Sequence, residues 1–285
     1  MTMVEEIVDS LLKDAIDMHV HSSPDVLPRK LSDLGAARAY KIAGLKGVLI
    51  KCHITPTTSR ASIVREAIGN FHVYGGLILN KMAGGLNPAA VEAELKLGAK
   101  EIWMPTISAE NHIKMNNGDI TQVVPLTDDK GIFRAELYEI FDLIAGTDAI
   151  LGTGHLTSDE CEKVVDAAQE RGVKKILITH PEYEMPAMTI DVQKKLARKG
   201  VLFERCFYAS NPDSQHYKLP PDVVAAQIRA VGAGVSVMAT DFGQGFNEEP
   251  LVGFRRFIRM MLGLGISSDE IEWMVKKNPA ALLGI

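Results

Sequence analysis

Ala15-Ile16-Asp17-Met18-His19-Val20-His21 is the stretch on which the fold turns. It starts apolar and ends polar, as a buried strand does when it emerges at one end of a sheet. Residues two apart on a strand point to the same side. His19 and His21 therefore project together, as two imidazoles sharing one cation would need. Short His pairs also arise by chance on surfaces, so the rest of the chain has to give this one its meaning.

Residues 4–13 precede the strand as an amphipathic helix, with Val4, Ile7, Val8, Leu11 and Leu12 on one face. After the His pair, Ser32-Asp33 caps a helix from Leu34 to Ala43 that Gly44 stops. A β-rich run from Lys46 ends in Lys51-Cys52-His53, and Thr57-Thr58-Ser59 opens a helix to about Ile68. The third strand covers 71–79, a helix starts at Pro88, and a short fourth strand covers 101–104. The fifth strand, 149–154, ends at His155, and the sixth, 175–179, ends at His180. The seventh, 201–204, runs into Arg205, and the eighth, 235–240, ends at Asp241. Helices fill the intervals at 135–144, 159–170 (capped by Ser158), 191–198 and 222–231, and two more close the chain at about 250–262 and 268–276.

The rhythm breaks between Ser108 and Arg134. Asn116-Asn117-Gly118 marks a turn, and Val123-Val124 and Ile132-Phe133 flank Asp128-Asp129-Lys130-Gly131 like a hairpin. This segment reads as an insertion lying over a site. Eight strand-then-helix units at roughly 25-residue spacing predict an α/β protein, a distorted (β/α)8 TIM barrel. It is a single domain over residues 1–285, with an insertion after strand four and extra terminal helices. A doubly wound open sheet is the competing arrangement, and it rarely uses so many similar units.

Composition narrows the class of partner. Hydrophobic residues make up 46% and charged residues 24%, as in an ordinary globular enzyme. Net charge is -5 with both signs scattered, so no basic block points to nucleic acid. No apolar run nears the ~20 residues of a membrane helix, and the acidic Glu5, Glu6 and Asp9 do not fit a signal peptide. Cys52, Cys161 and Cys206 form no CxxC pair and read as reduced thiols of a cytoplasmic protein. The expected partners are a small-molecule substrate and further copies of the chain in a homo-oligomer.

Barrel strands present reactive groups at their C-terminal ends. Here those ends carry His19, His21, Lys51, His53, His155, His180 and Asp241. Neutral imidazoles with a carboxylate suit Zn2+ or another divalent ion.

That ordered set of strand ends resembles the amidohydrolase superfamily of metal-dependent hydrolases, over essentially the whole chain. The closing Lys277-Asn278-Pro279-Ala280-Ala281-Leu282-Leu283-Gly284 is similar to the superfamily's usual final segment. The resemblance implies a metal held among His19, His21, His155, His180 and Asp241, with a metal-activated water as nucleophile. Asp241 would act as general base and then acid, while His180 or His155 holds the substrate carbonyl or the water. The chain departs from the two-metal pattern at strand four, where Trp103-Met104-Pro105-Thr106 offers no bridging Lys or Glu. One resolution is a single metal on His19, His21, His155 and Asp241, with His180 a hydrogen-bonding group. The other is a carboxylated Lys51 bridging two metals. The single metal is preferred.

Lys51, His53 and one of the pair Glu204-Arg205 are the candidate substrate contacts, Arg205 preferred because its fork of donors suits a carboxylate or phosphate, with a salt-bridged rim pair as the alternative. Asp17 reads either as a support for the site or as a structural strand residue. Cys52 and Cys206 read as small buried groups and His72 as lying at the opposite face, while His112 and His216 lie in long loops, either touching substrate or, the preferred reading, at the surface. The leading function is hydrolysis of a C–N or C–O bond in an amide, cyclic amide or lactone. Three others stay open: metal-dependent non-oxidative decarboxylation, phosphoester hydrolysis, and a barrel that binds metal without catalysis. The phosphoesterase reading rests on Asp-x-His-x-His, which resembles the histidinol-phosphatase-like (PHP) phosphoesterases, but Asp241-Phe242-Gly243 lacks their late His.

Overall fold

The computed structural model describes residues 3–285. Its strands are β1 (Ile16–His21), β2 (Gly47–Lys51), β3 (His72–Tyr74), β4 (Gly76–Ile78), β5 (Glu101–Trp103), β6 (Ile150–Gly152), β7 (Ile176–Thr179), β8 (Leu202–Cys206) and β9 (Ser236–Ala239). They pair in parallel in chain order, as β1-β2-β3 and as β4 through β9. Between these runs, β3 and β4 are two halves of one barrel strand, interrupted at Gly75 by the Thr57 side chain. Its hydroxyl donates to Ile50 O at 2.8 Å and accepts from Gly76 N–H at 2.9 Å. A Cβ on Gly75 would stand 2.4 Å from Thr57 O, so only glycine leaves room for this junction.

The ring closes where β9 returns to β1. Asp241 N–H donates to His19 O at 2.9 Å, and His21 N–H donates to Phe242 O at 2.8 Å. With β3 and β4 counted as one, eight parallel strands form the expected barrel. Ile16, Met18, Leu49, Trp103, Leu177 and Val237 are among the residues filling its interior, and Leu282 and Leu283 of the closing helix pack into the same cluster. Outward-facing strand residues pack against the helices in two larger clusters.

One local feature of β1 sets up the site. Between Asp17 and Val20 its register against β2 slips: Asp17 pairs with Val48 and Val20 with Ile50, so three steps on β1 match two on β2. This is a β-bulge, and past a bulge the sides of a strand exchange. Asp17 consequently faces the helices, where Tyr40 O–H donates to it at 2.7 Å and Thr240 O–H at 2.7 Å. His19 and His21 face inward. Of the two readings of Asp17, the structural one fits these contacts.

Helix and strand positions otherwise follow the expected pattern to within a few residues. The insertion differs. It holds a helix at Glu110–Met115, and the expected hairpin reduces to a single bridge between Thr127 and Phe133, around a turn in which Asp128 accepts from Lys130 N–H and Ile132 N–H. The helix Ser158–Glu170 is capped by Thr157, in a reciprocal capping box with Glu160, rather than by Ser158. Among the described residues, no helix is long and apolar enough to cross a membrane.

Candidate active site

The C-terminal ends of the strands surround a cleft of about 280 Å³. On its floor, His19 Nε2 and His21 Nε2 each lie 3.1 Å from Asp241 Oδ1. Ligand atoms about 3 Å apart are what bonds of ~2.0–2.2 Å to one shared ion produce. Glu204 Oε2 accepts from His19 Nδ1 at 3.0 Å, which turns the ring and leaves Nε2 aimed at the convergence point. The donor set therefore fits a divalent ion. Cys206 lies near, with Sγ 3.6 Å from His19 Nδ1, and joins His19 and Asp241 in a set of possible ligand atoms within 4.8 Å. Burial and the adjacent Glu204 and Asp241 push its thiol well above the usual range, so in the metal-free protein it is protonated.

Charge is arranged sharply across this floor. Burial works against a charged His19, but Asp241 and Glu204 overcome it and hold the imidazole up at about 9. Burial likewise disfavours the Asp241 carboxylate, and His19 and His21 reverse that, holding it well below the usual range. Burial pushes His21 and His180 down to about 4, and holds His53 and His155 well below the ordinary imidazole value. The site thus offers two ionised carboxylates, Asp241 and Glu204, beside a charged His19 and the neutral His21, His53, His155 and His180.

Backbone geometry matches this concentration of function. Asp241 and His180 both adopt left-handed φ, at 55° and 31°, which is unusual for residues with a Cβ and recurs at sites that must hold a side chain in place. Gly243 follows at φ 132°, so close to β1 that an added Cβ would meet His21 O at 1.7 Å.

The five expected ligands divide into two groups. His19, His21 and Asp241 converge. His155 instead sits on the cleft wall, its Nδ1 3.0 Å from His112 Nδ1, with its ring 5.0 Å from that of His180. His180 also lines the cleft, and its Nδ1 has no hydrogen-bond partner among the described residues. His53 lines the cleft as expected and shares a 2.8 Å hydrogen bond with Thr106 Oγ1.

Two expected substrate contacts are corrected. Arg205 points outward from β8 and is fully buried, its guanidinium donating to Glu182 at 3.1 Å and to Gln227 at 3.0 Å. Its neighbour Glu204 is the residue that faces the site. Lys51 faces inward but does not line the cleft. It lies beneath it with Nζ 5.0 Å above the Trp103 ring and no hydrogen-bond partner among the described residues.

Several site residues lay outside the sequence reading. Glu101, on the fourth barrel strand, shares the inner face with Trp103, and burial followed by the Glu204 charge pushes its carboxyl well above the usual range. Strand four therefore does supply an acidic residue, two positions below the strand end where one was sought. Alternation from Trp103 would have revealed it. His112 and His216, for which the surface was preferred and a place against substrate left open, both line the cleft, as do Arg29, Tyr183 and Tyr208. His112 sits on the short helix of the insertion and the others on loops, where periodicity carries no signal.

Glu204→Gln tests how the His19 ring is held. The amide can present its NH2 rather than an acceptor to Nδ1, so a metal on Nε2 is expected to bind about 10–100-fold more weakly, as a competition titration would read. Unchanged affinity would show that Glu204 does not orient the ring.

Comparison with known proteins adds the family. A family model described as "Family of unknown function (DUF6282)" matches residues 14–204, more than half of the chain. No curated protein matches the sequence. Among solved structures, an amidohydrolase from Pseudomonas aeruginosa is similar with TM-score 0.65 and 14% identity, over 99% of this chain and 98% of that one. A putative 2-pyrone-4,6-dicarboxylic acid hydrolase from Pseudomonas putida is similar with TM-score 0.59 and 16% identity, over 95% and 97%. A dihydroxybenzoic acid decarboxylase from a Polaromonas species, solved with manganese and an inhibitor, gives TM-score 0.58 and 11% identity, over 95% and 97%. The chain belongs to the DUF6282 family of unknown function and shares the barrel fold of these solved structures.

Proposed function

We propose that this chain is a metal-dependent hydrolase that adds water across a C–N or C–O bond of a small molecule, an amide, cyclic amide or lactone. The observation that carries this is the convergence of His19 Nε2 and His21 Nε2 on Asp241 Oδ1. These three residues would hold one Zn2+ or another divalent ion. When bound, such an ion lowers the pKa of its water from ~15.7 towards ~7. Asp241, kept ionised by its imidazole neighbours, accepts the proton and returns it to the leaving group. His180 and His155, neutral and on the cleft wall, hydrogen-bond the substrate oxygen. A single ion is favoured because the ligand atoms share one convergence point and Lys51 lies below it on the Trp103 face.

A second reading, metal-dependent decarboxylation, draws on the likeness to the manganese-bound dihydroxybenzoic acid decarboxylase. Metal analysis of the purified protein, followed by product analysis in H2(18)O, separates the readings. About one divalent ion per chain and label in the product support hydrolysis. Carbon dioxide release without label supports decarboxylation. Turnover that survives chelation and the loss of all metal would sink both.

A further inference from the structure

Arg29 is a charged side chain whose role the hydrolytic reading leaves open. It lies on the strap that follows β1, with a side chain only 3% exposed, and it lines the same cleft as Asp241 and His53. Its Nε donates to Asp25 Oδ2 at 2.8 Å, and its Nη2 lies 2.8 Å from the same oxygen. Among the described residues, that buried Nη2 makes no hydrogen bond. The strap is tied to the loop that carries Asp241: Lys30 N–H donates to Gly243 O at 2.7 Å, and Gly245 N–H donates to Pro28 O at 3.1 Å. Arg29 also bridges Gln244. Its guanidinium is therefore fixed in position relative to the reacting end of the cleft.

The mouth beside it is aromatic. Tyr208 and His216 stack with ring centroids 5.5 Å apart at 20°, and His216 meets Phe246 at 5.0 Å. Phe246 is 46% exposed and Leu27 48% exposed, yet both line the cleft, so these apolar groups face the space a ligand would enter.

We infer that Arg29 is a substrate-binding residue that receives a carboxylate carried on a flat ring, with Tyr208, His216 and Phe246 forming the slot for the ring. This rests on the hydrolytic reading and names the substrate class of that site. Asp25 already offsets part of the Arg29 charge, which fits a singly charged carboxylate better than a doubly charged phosphate. An Arg held in one orientation by a carboxylate presents its remaining N–H groups without having to be ordered by the ligand. The expected guanidinium contact thus exists, supplied by Arg29 instead of Arg205.

Benzoate is a suitable probe, with benzamide, cyclohexanecarboxylate and phenyl phosphate as comparisons. Calorimetric binding is measured on the metal-loaded and on the chelator-treated protein. In both, benzoate is expected to bind at least about tenfold more tightly than benzamide or phenyl phosphate. Arg29→Met is expected to erase the advantage over benzamide while leaving metal content unchanged. Phe246→Ala, at an exposed position, is expected to erase the preference for benzoate over cyclohexanecarboxylate. Should the methionine variant fail to fold, Arg29→Gln keeps a donor for Asp25 and gives the same readout.

Benzoate affinity that ignores Arg29, or that vanishes with the metal alone, would overturn the assignment. Phenyl phosphate binding more tightly than benzoate would overturn the carboxylate class. The two proposals fail separately. Protein that takes up no divalent ion and hydrolyses nothing, yet holds benzoate through Arg29, would remove the hydrolytic reading and leave this one. Metal-loaded, hydrolytic protein indifferent to Arg29 would do the reverse.

Discussion

Asp241→Asn is expected to lower kcat by roughly a thousandfold, the scale of a lost general base, while the protein stays folded. The amide matches the carboxylate in size and can place its carbonyl oxygen where Oδ1 now meets His19 and His21, at 3.1 Å from each Nε2. It carries no charge and cannot accept the water's proton. His19, held up at about 9 largely by Asp241 once burial is overcome, should then titrate lower in the metal-free variant. An NMR titration of that imidazole gives a readout that a merely structural change would not move. His19→Ala is the companion variant and is expected to lose the metal itself, and because Asp241 is also an ion ligand, metal content measured on both variants separates proton transfer from ion binding. An Asp241→Asn protein that binds metal normally and keeps more than a tenth of wild-type kcat would remove Asp241 from the chemistry.

What the sequence made legible follows from what a barrel makes regular. Strand ends coincide on one rim, so His19, His21, His155, His180 and Asp241 could be gathered without knowing any contact between them. Which way a side chain points at a strand end is less regular. The bulge in β1 separates Asp17 from the His pair, although strict alternation would place all three on one side. At β8, Phe203 packs outward and Arg205 points outward with it, so Glu204 takes the inner place. The apolar Phe203 was the available clue. His112, on the short helix of the insertion, and His216 and Arg29, on loops, reach the cleft along courses set by tertiary packing, as Lys30 on Gly243 illustrates. His155 shows the limit of rim arithmetic. It ends its strand as expected, yet its ring pairs with His112 from the insertion rather than with the converging trio.

Asp17 is where stability is expected to respond most. Its two oxygens accept from Tyr40 O–H, Thr240 O–H, Thr240 N–H and His19 N–H, and so tie β1, the helix Asp33–Ile42 and the end of β9 together. Asp17→Ala leaves at least two buried donors without an acceptor, which should cost about 3 kcal/mol in a urea unfolding experiment at neutral pH. The carboxyl also carries a pH signature. Complete burial outweighs those hydrogen bonds and raises its pKa from 3.8 to about 6. Between these two values the folded protein binds the proton more tightly than the unfolded chain does. The contribution of Asp17 to stability is therefore fully present below about pH 4 and declines as pH rises through about 6, by up to ~3 kcal/mol. Asp17→Asn has no such proton to lose. The stability of the Asn variant minus that of the parent should accordingly become more positive from about pH 4 to about pH 7. Parallel stability curves across that window would mean that Asp17 is already ionised in the folded protein at acid pH. The four donors around it would then outweigh the cost of burying its charge.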